Sequence, residues 1–255
     1  MKLVTLLENT TTRADLLCEH GLSLYIETGP HKILFDAGQS SAFAANAESL
    51  GIDLAQVNFA VLSHGHYDHG GGLPHFLSLN SHAPVYVNRH AFEPHFNAQG
   101  KDIGLSHSLK DDPRLLFTGQ SQTIAPGITL HTLPLPPTDT SGLTVMEADG
   151  LQPEDFRHEQ YLLIEEEGKR ILLSGCSHKG IVQIAQHFRP DILIGGFHFM
   201  KLTDEAALRS AAETLLQFPT TYYTCHCTGQ PQFAFLKSIM GPRLQSLSTG
   251  TAFRF

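Results

Sequence analysis

Three histidines and a carboxylate crowd into six positions at the end of an apolar run, Phe59-Ala60-Val61-Leu62-Ser63-His64-Gly65-His66-Tyr67-Asp68-His69, and Gly70, Gly71 and Gly72 follow at once. Four such side chains cannot pack into an ordinary core without a large desolvation cost. Imidazole nitrogen and carboxylate oxygen are ligands for zinc and similar ions at about 2.0–2.2 Å. His64 and His66, separated by Gly65, can point the same way from an extended turn and clasp one ion. Asp68 and His69 can clasp a second ion beside it. The glycines allow a tight turn close to a ligand. The competing reading is a polar turn that happens to be rich in histidine, and the spacing at a strand end disfavours it.

The chain holds sixteen histidines. Several recur in short contexts downstream: Gly175-Cys176-Ser177-His178, Gly195-Gly196-Phe197-His198 and Cys225-His226-Cys227-Thr228-Gly229. His75, His82, His90, His95, His107, His131, His158 and His187 read as surface or loop residues. His95 or His107 would line a pocket if their loop folded over it. Cys18, Cys176, Cys225 and Cys227 show no disulfide framework, which fits reduced thiols in a cytoplasmic protein. Cys225 and Cys227 read as small buried apolar residues.

The elements that must position these groups follow from periodicity and turn residues. Residues 3–7 read as a strand, and 22–27 with 32–35 as a hairpin around Thr28-Gly29-Pro30-His31. Ser40 can cap a helix over 41–50 that ends at Gly51. A buried strand at 58–62 carries the first motif, followed by a helix over 73–79 and a strand at 85–88. Residues 94–126 show little pattern and read as a functional loop, a lid or substrate wall. Strands at 128–133 and 143–147 flank a Pro/Thr-rich loop at 134–141. The second half repeats the grammar of the first. The hairpin at 162–165 and 170–173 is followed by a helix over 180–188 and an apolar strand that runs from 192 into His198. Helix 204–217, strand 220–224, helix 231–240 and strands near 244–247 and 251–255 complete it. Ile26 to Asp36 and Ile164 to Ser174 share a spacing of ten residues. Two β-hairpin–α–β halves of this kind predict two sheets packed face to face with helices outside. The expectation is one domain over 1–255 with a pseudo-two-fold.

Composition narrows the function. A length of 255 residues suits one large α/β domain. Hydrophobic residues at 41% and charged residues at 16% indicate a globular chain. A net charge of -8 argues against a nucleic-acid partner. No run of about 18 apolar residues predicts a membrane span, and the N-terminus turns polar too soon for a signal peptide. The expected partner is a small-molecule substrate, with no nucleic acid and no membrane, and homo-oligomerisation is left open.

The string H-x-H-x-D-H after an apolar strand, preceded by Leu34-Phe35-Asp36-Ala37-Gly38, resembles the metallo-β-lactamase superfamily. The four histidine contexts together resemble its branch of metal-dependent hydrolases that includes a dihydropterin–ribofuranosylaminobenzene phosphate synthase of methanopterin biosynthesis. The resemblance implies the α/β, four-layer αββα sandwich with two pseudo-symmetric halves. It implies two divalent metal ions, zinc first, with iron or manganese as alternatives. His64, His66 and His178 would hold one, and Asp68, His69 and His226 the other. Asp36 would orient the ligand loop from behind. Many superfamily hydrolases also carry an Asp bridging both metals. The nearest positions here are Cys176, Ser177 and His198, none a carboxylate. The metals are then bridged by solvent alone, or Cys176 is a soft ligand, or one site is weak.

The leading expectation is a dinuclear hydrolase in which a metal-activated hydroxide attacks an ester, lactone or phosphoester of a small molecule. Asp68 would be a ligand that also orients the hydroxide. His198 would transfer a proton or bind substrate, with metal ligation as its alternative. A transferase joining a dihydropterin pyrophosphate to an aromatic amine is the second reading, and a non-catalytic metal- or ligand-binding domain the third.

Overall fold

The computed structural model describes residues 1–140 and 142–255, so Ser141, the last residue of the expected Pro/Thr-rich loop, lies outside the described residues. Its strands are β1 (Lys2–Leu7), β2 (Ser23–Thr28), β3 (His31–Phe35), β4 (Phe59–Val61), β5 (Val85–Asn88), β6 (His95–Phe96), β7 (Leu115–Thr118), β8 (Gln122–Ala125), β9 (Ile128–His131), β10 (Thr144–Glu147), β11 (Gly150–Pro153), β12 (Tyr161–Glu166), β13 (Lys169–Leu173), β14 (Ile192–Ile194), β15 (Thr221–Thr224), β16 (Leu244–Ser246) and β17 (Ala252–Arg254). Its helices are α1 (Ala42–Ser49), α2 (Tyr67–Gly70), α3 (Leu73–Leu79), α4 (Ile181–Phe188), α5 (Glu205–Leu215) and α6 (Gln230–Met240).

Strand alternation sorts the apolar residues into three cores. Ile33 and Phe35 of β3 face inward and meet Ile128, Leu162, Ile171 and Leu173 between the two sheets. Leu34, between them in sequence, faces outward with Ala60 and Val85 against Phe43 of α1 and Phe76 of α3. Leu163, Leu172, Leu193 and Tyr222 form the other outer face, covered by Ile184, Leu208 and Leu236 from α4, α5 and α6. Each buried side chain of this size contributes about 1.5–3 kcal/mol. The result is the four-layer α/β/β/α sandwich expected from the duplicated pattern.

The sheets have the same construction. One runs β17-β1-β2-β3-β4-β5-β7 and the other β8-β9-β12-β13-β14-β15-β16. In each, an antiparallel hairpin, β2–β3 or β12–β13, passes into parallel strands, β4-β5-β7 or β14-β15-β16. Parallel pairing places successive strand C-termini at one rim. In open α/β sheets ligands bind outside those carboxyl ends, and the histidine motifs follow β4, β13, β14 and β15 directly.

Segment 94–126 departs from the expected lid. It supplies β7 and β8, the edge strands that widen both sheets. Its strands are short and half-exposed, so neither carries the apolar alternation that marks a strand in sequence. β6 joins the hairpin β10–β11 in a small third sheet, and β11 is a strand that the sequence pattern did not show. Among the described residues, no helix is long and apolar enough to cross a membrane.

Candidate metal centre

Asp36 ends β3 in the left-handed region (φ 58°) and is 1% exposed. Its carboxylate accepts from the Ser63 backbone N–H at 2.7 Å, the Ser63 hydroxyl at 2.8 Å and His69 Nδ1–H at 2.7 Å. Ser63 has given its only proton to Asp36, so its Oγ accepts from His64 Nδ1–H at 2.8 Å. One carboxylate thereby sets the tautomers of two histidines and leaves a lone pair on Nε2 of each. Gly65 separates His64 from His66 because the backbone passes against Ala91, where a Cβ would stand 2.2 Å from the carbonyl oxygen.

Two further buried carboxylates, absent from the sequence-based expectations, anchor the backbone of the other ligand loops. Glu159 accepts from the backbone N–H of His178 at 2.6 Å and of Lys179 at 3.1 Å. Burial, partly offset by these donors and Tyr161, raises its pKa. Glu8 accepts from the backbone N–H of His226 at 2.7 Å. Ser177, His198 and His226 follow β13, β14 and β15 with φ of 58°, 56° and 48°. Left-handed non-glycine residues cost about 1–3 kcal/mol each and cluster where geometry matters more than comfort.

All six expected ligands meet at the rim. His64 Nε2 lies 3.3 Å from His178 Nε2, and the His66 ring is 4.6 Å from that of His64 and 4.9 Å from that of His178. Asp68 Oδ2 lies 3.1 Å from His226 Nε2 and 3.9 Å from His69 Nε2. Cys176 occupies the ground between the two groups. It falls within 4.8 Å of ligating atoms of His64 and His178 on one side and of His69 and His226 on the other. Its Sγ is 3.2 Å from His69 Nε2. The position without its expected carboxylate is therefore filled by a thiol.

The donor set fits metal cations. His226 donates Nδ1–H to Asn9 Oδ1 at 2.8 Å, so its Nε2 lone pair faces the Asp68 carboxylate. The His64 lone pair faces His178, and the His69 lone pair faces Cys176. Lone pairs aimed at one another and at a carboxylate are reconciled only by a proton or a metal ion. The charges show the same tension. Burial pushes His64 and His178 well below the ordinary histidine range and His66 down to about 3. Burial also opposes a charge on His69, but Asp36 and Asp68 overcome it and lift that pKa to about 9. For Asp68 too, burial opposes charge, while His69, His20 and His226 hold the carboxyl well below its usual range.

His198 lies beside this centre, its ring 4.3 Å from that of His178, and it groups with Cys176 and Cys227. Cys225 packs in the core between the sheets as expected, whereas Cys227 is drawn to the site. His20, from the loop after β1, places Nε2 3.2 Å from Asp68 Oδ2 and is half-exposed. Nothing near His20 in sequence resembles a motif. His95 and His158, read as surface or loop residues, are both fully buried against His66, His158 in a loop and His95 in β6. Their segments lack periodicity, and the small third sheet folds them under the motif. A cavity of about 190 Å³ is lined by His20, Asp68, Cys176, His178, His198 and His226. A larger one of about 610 Å³ adjoins it and shares His178, His198 and Lys201.

The sequence profile described as the metallo-beta-lactamase superfamily matches residues 17–225. An uncharacterized protein of Methanocaldococcus jannaschii is 27% identical over 243 residues, covering 89% of this chain and 91% of that protein. The 7,8-dihydropterin-6-methyl-4-(beta-D-ribofuranosyl)-aminobenzene-5'-phosphate synthase of the same organism is 28% identical over 242 residues, covering 83% of this chain and 81% of its own. A crystal structure described as a metal-dependent hydrolase of the beta-lactamase superfamily aligns with TM-score 0.83 and 25% identity, covering 100% of this chain and 99% of the other.

Proposed function

The chain belongs to the metallo-beta-lactamase superfamily, and from that premise we propose that it is a dinuclear metal-dependent hydrolase of an ester, lactone or phosphoester in a small molecule. The observation that carries this reading is the set of lone pairs on His64, His69 and His226, each fixed by an outward Nδ1–H bond and each aimed into one cleft. His64, His66 and His178 would hold one ion, Asp68, His69 and His226 the other, with Cys176 as a shared soft ligand. Divalent ions bound there lower the pKa of water toward about 7 and polarise a substrate oxygen.

The chain's own groups supply the remaining parts. Asp68, held by His20 and His226, can accept a hydrogen bond from an attacking water and orient it. His198, at the junction of the two cavities, is placed to bind substrate or pass a proton to a leaving group. The larger cavity gives the body of a substrate an apolar wall at Phe197, Phe199 and Ile181.

The test is to strip the protein with a chelator, count metal per chain, and assay phosphodiester, lactone and ester substrates before and after zinc, manganese or iron is restored. Turnover that disappears with metal, returns with it, and is absent from Asp68→Ala supports the reading. Turnover retained in a metal-free preparation overturns it, and no turnover across the panel in fully loaded protein favours a non-catalytic binding domain. The relative named as a synthase favours a second reading, a transferase in which an organic amine replaces water. Product analysis with and without an aromatic amine separates the two.

A further inference from the structure

We propose that Glu154 and His95 are positioning residues that fix the protonation of the His66 ring and so aim its Nδ1 lone pair at the metal centre. This rests on the reading of His66 as a ligand. The small third sheet brings the parts together. His95 of β6 pairs with Val145 of β10, and Glu154 follows β11 with its N–H donated to Leu143 O at 3.0 Å. The platform is tied to the motif through Ile103, whose N–H donates to His95 O and whose carbonyl accepts from Tyr67 N–H.

His66, His95, Glu154 and His158 are all buried, and each offers a nitrogen or oxygen within 4.8 Å of the others. The Nε2 atoms of His66, His95 and His158 are buried without a hydrogen-bond partner. Their protons can be placed. Glu154 accepts from His95 Nδ1–H at 2.7 Å and from Phe156 N–H at 3.1 Å. His95 therefore carries a bare lone pair on Nε2. His158 accepts from Gly65 N–H at Nδ1, 2.8 Å away. Its own proton is thus on Nε2, which faces the Glu154 carboxylate at 3.6 Å.

A His158 ring that accepts at Nδ1 and is protonated on Nε2 cannot bind a cation, so His158 is not a metal ligand. Protonation of His66 on Nε2 gives that buried nitrogen a proton to offer the bare His95 Nε2, directly or through a water, whereas protonation on Nδ1 would leave both buried nitrogens as unmatched lone pairs. The Nδ1 lone pair is then free, on a residue that lines the cavity together with Asp68, Cys176, His178 and His226. The order runs Glu154 to His95 to His66, a carboxylate–histidine support extended by one ring. His66 is set in the opposite tautomer to His64, His69 and His226.

The full-length chain labelled with 15N-histidine tests this directly, because long-range 1H–15N spectra distinguish the two neutral tautomers. In the metal-free wild type, His66, assigned by its loss in His66→Ala, is expected to be protonated on Nε2. Zinc titration against a chromophoric chelator gives the second readout. His95→Phe and Glu154→Gln should weaken one zinc equivalent by about 10–100-fold and leave the other within about 3-fold. His95→Gln, whose amide oxygen can accept from His66 Nε2–H, should recover most of that loss. A His66 protonated on Nδ1 overturns the proposal, as do unchanged zinc affinities or equal weakening of both equivalents. A third zinc equivalent lost in His95→Phe would make the cluster a metal site and overturns it too. If His95→Phe does not fold, the wild-type spectrum still decides. If His66→Ala binds zinc as the wild type does, the ligand reading has failed and not the tautomer assignment.

Discussion

Replacing Asp36 by Asn changes almost no volume, but it removes a negative charge and turns an acceptor into a donor, and it should weaken one half of the centre. The carboxylate receives three donors, Ser63 N–H, Ser63 Oγ–H and His69 Nδ1–H, within 2.7–2.8 Å. An Asn that keeps its oxygen toward Ser63 N–H turns its NH2 toward the other two. Two donors then face a donor in a site 1% exposed. Ser63 can rotate and accept, but His69 must move its proton to Nε2. That proton fills the lone pair now aimed at Cys176 and Asp68. Each charge-assisted hydrogen bond lost contributes about 1.5–3 kcal/mol, so the metal-free protein should lose roughly 2–5 kcal/mol of stability. Support of this kind behind a ligand is worth about 10–100-fold in metal affinity. A forced wrong tautomer puts the second metal at the upper end, near 100-fold, which is about 2.7 kcal/mol. The first metal, reached only through Ser63 and His64, should weaken by about 10-fold or less. Chelator-competition titration of both variants measures the two affinities separately, and urea unfolding gives the stability. Asp36→Asn protein that binds two metals with wild-type affinities would refute the tautomer argument for the whole centre.

In Glu159→Gln, the loop at His178 and Lys179 loses one anionic acceptor, which should lower the thermal midpoint and weaken one zinc equivalent by roughly 10-fold; calorimetry with and without zinc reads both. Cobalt-substituted wild type should show thiolate-to-metal charge-transfer absorbance in the near ultraviolet that Cys176→Ser lacks, and identical spectra would remove Cys176 from the ligand set. Metal-free protein should lose stability as pH falls below about 6.5, because His64, His66, His158 and His178 have folded pKa values lowered by burial and the unfolded chain takes up protons first. His66 alone, lowered to about 3, places a loss on the order of a few kcal/mol across that window. His69 acts oppositely. With its pKa raised to about 9, its contribution is complete below about 6.5 and fades as pH rises through 9. Urea midpoints from pH 4 to 10 should therefore trace a dome, and a flat profile would contradict both shifts.

What could be read along the chain was local. The apolar run into His64, His66, Asp68 and His69 announces ligands at a strand end, since strand and motif lie within fifteen residues. The hairpin–helix–strand grammar, repeated across the two halves, specifies two sheets with helices outside, because alternation and turn residues act over a few positions. Asp36 was legible from its place before Ala37-Gly38, as part of a recognised pattern. Ligand support across long separations was not legible. Glu8 reaches His226 over 218 residues, and Glu159 acts through the backbone of His178, which any side chain there would present. His95, Glu154 and His158 come from segments without periodicity, and only the small third sheet slides them beneath His66. Cys176 read as an anomaly beside a missing carboxylate. Its role as the group between two ligand sets exists only once the sheets have packed. Which strands end in histidine and carboxylate side chains follows from residue order, because it is written in neighbouring positions. The tertiary structure alone decided which protons and lone pairs those ligands carry. Tautomers depend on buried acceptors delivered from distant strands, and no local pattern encodes them.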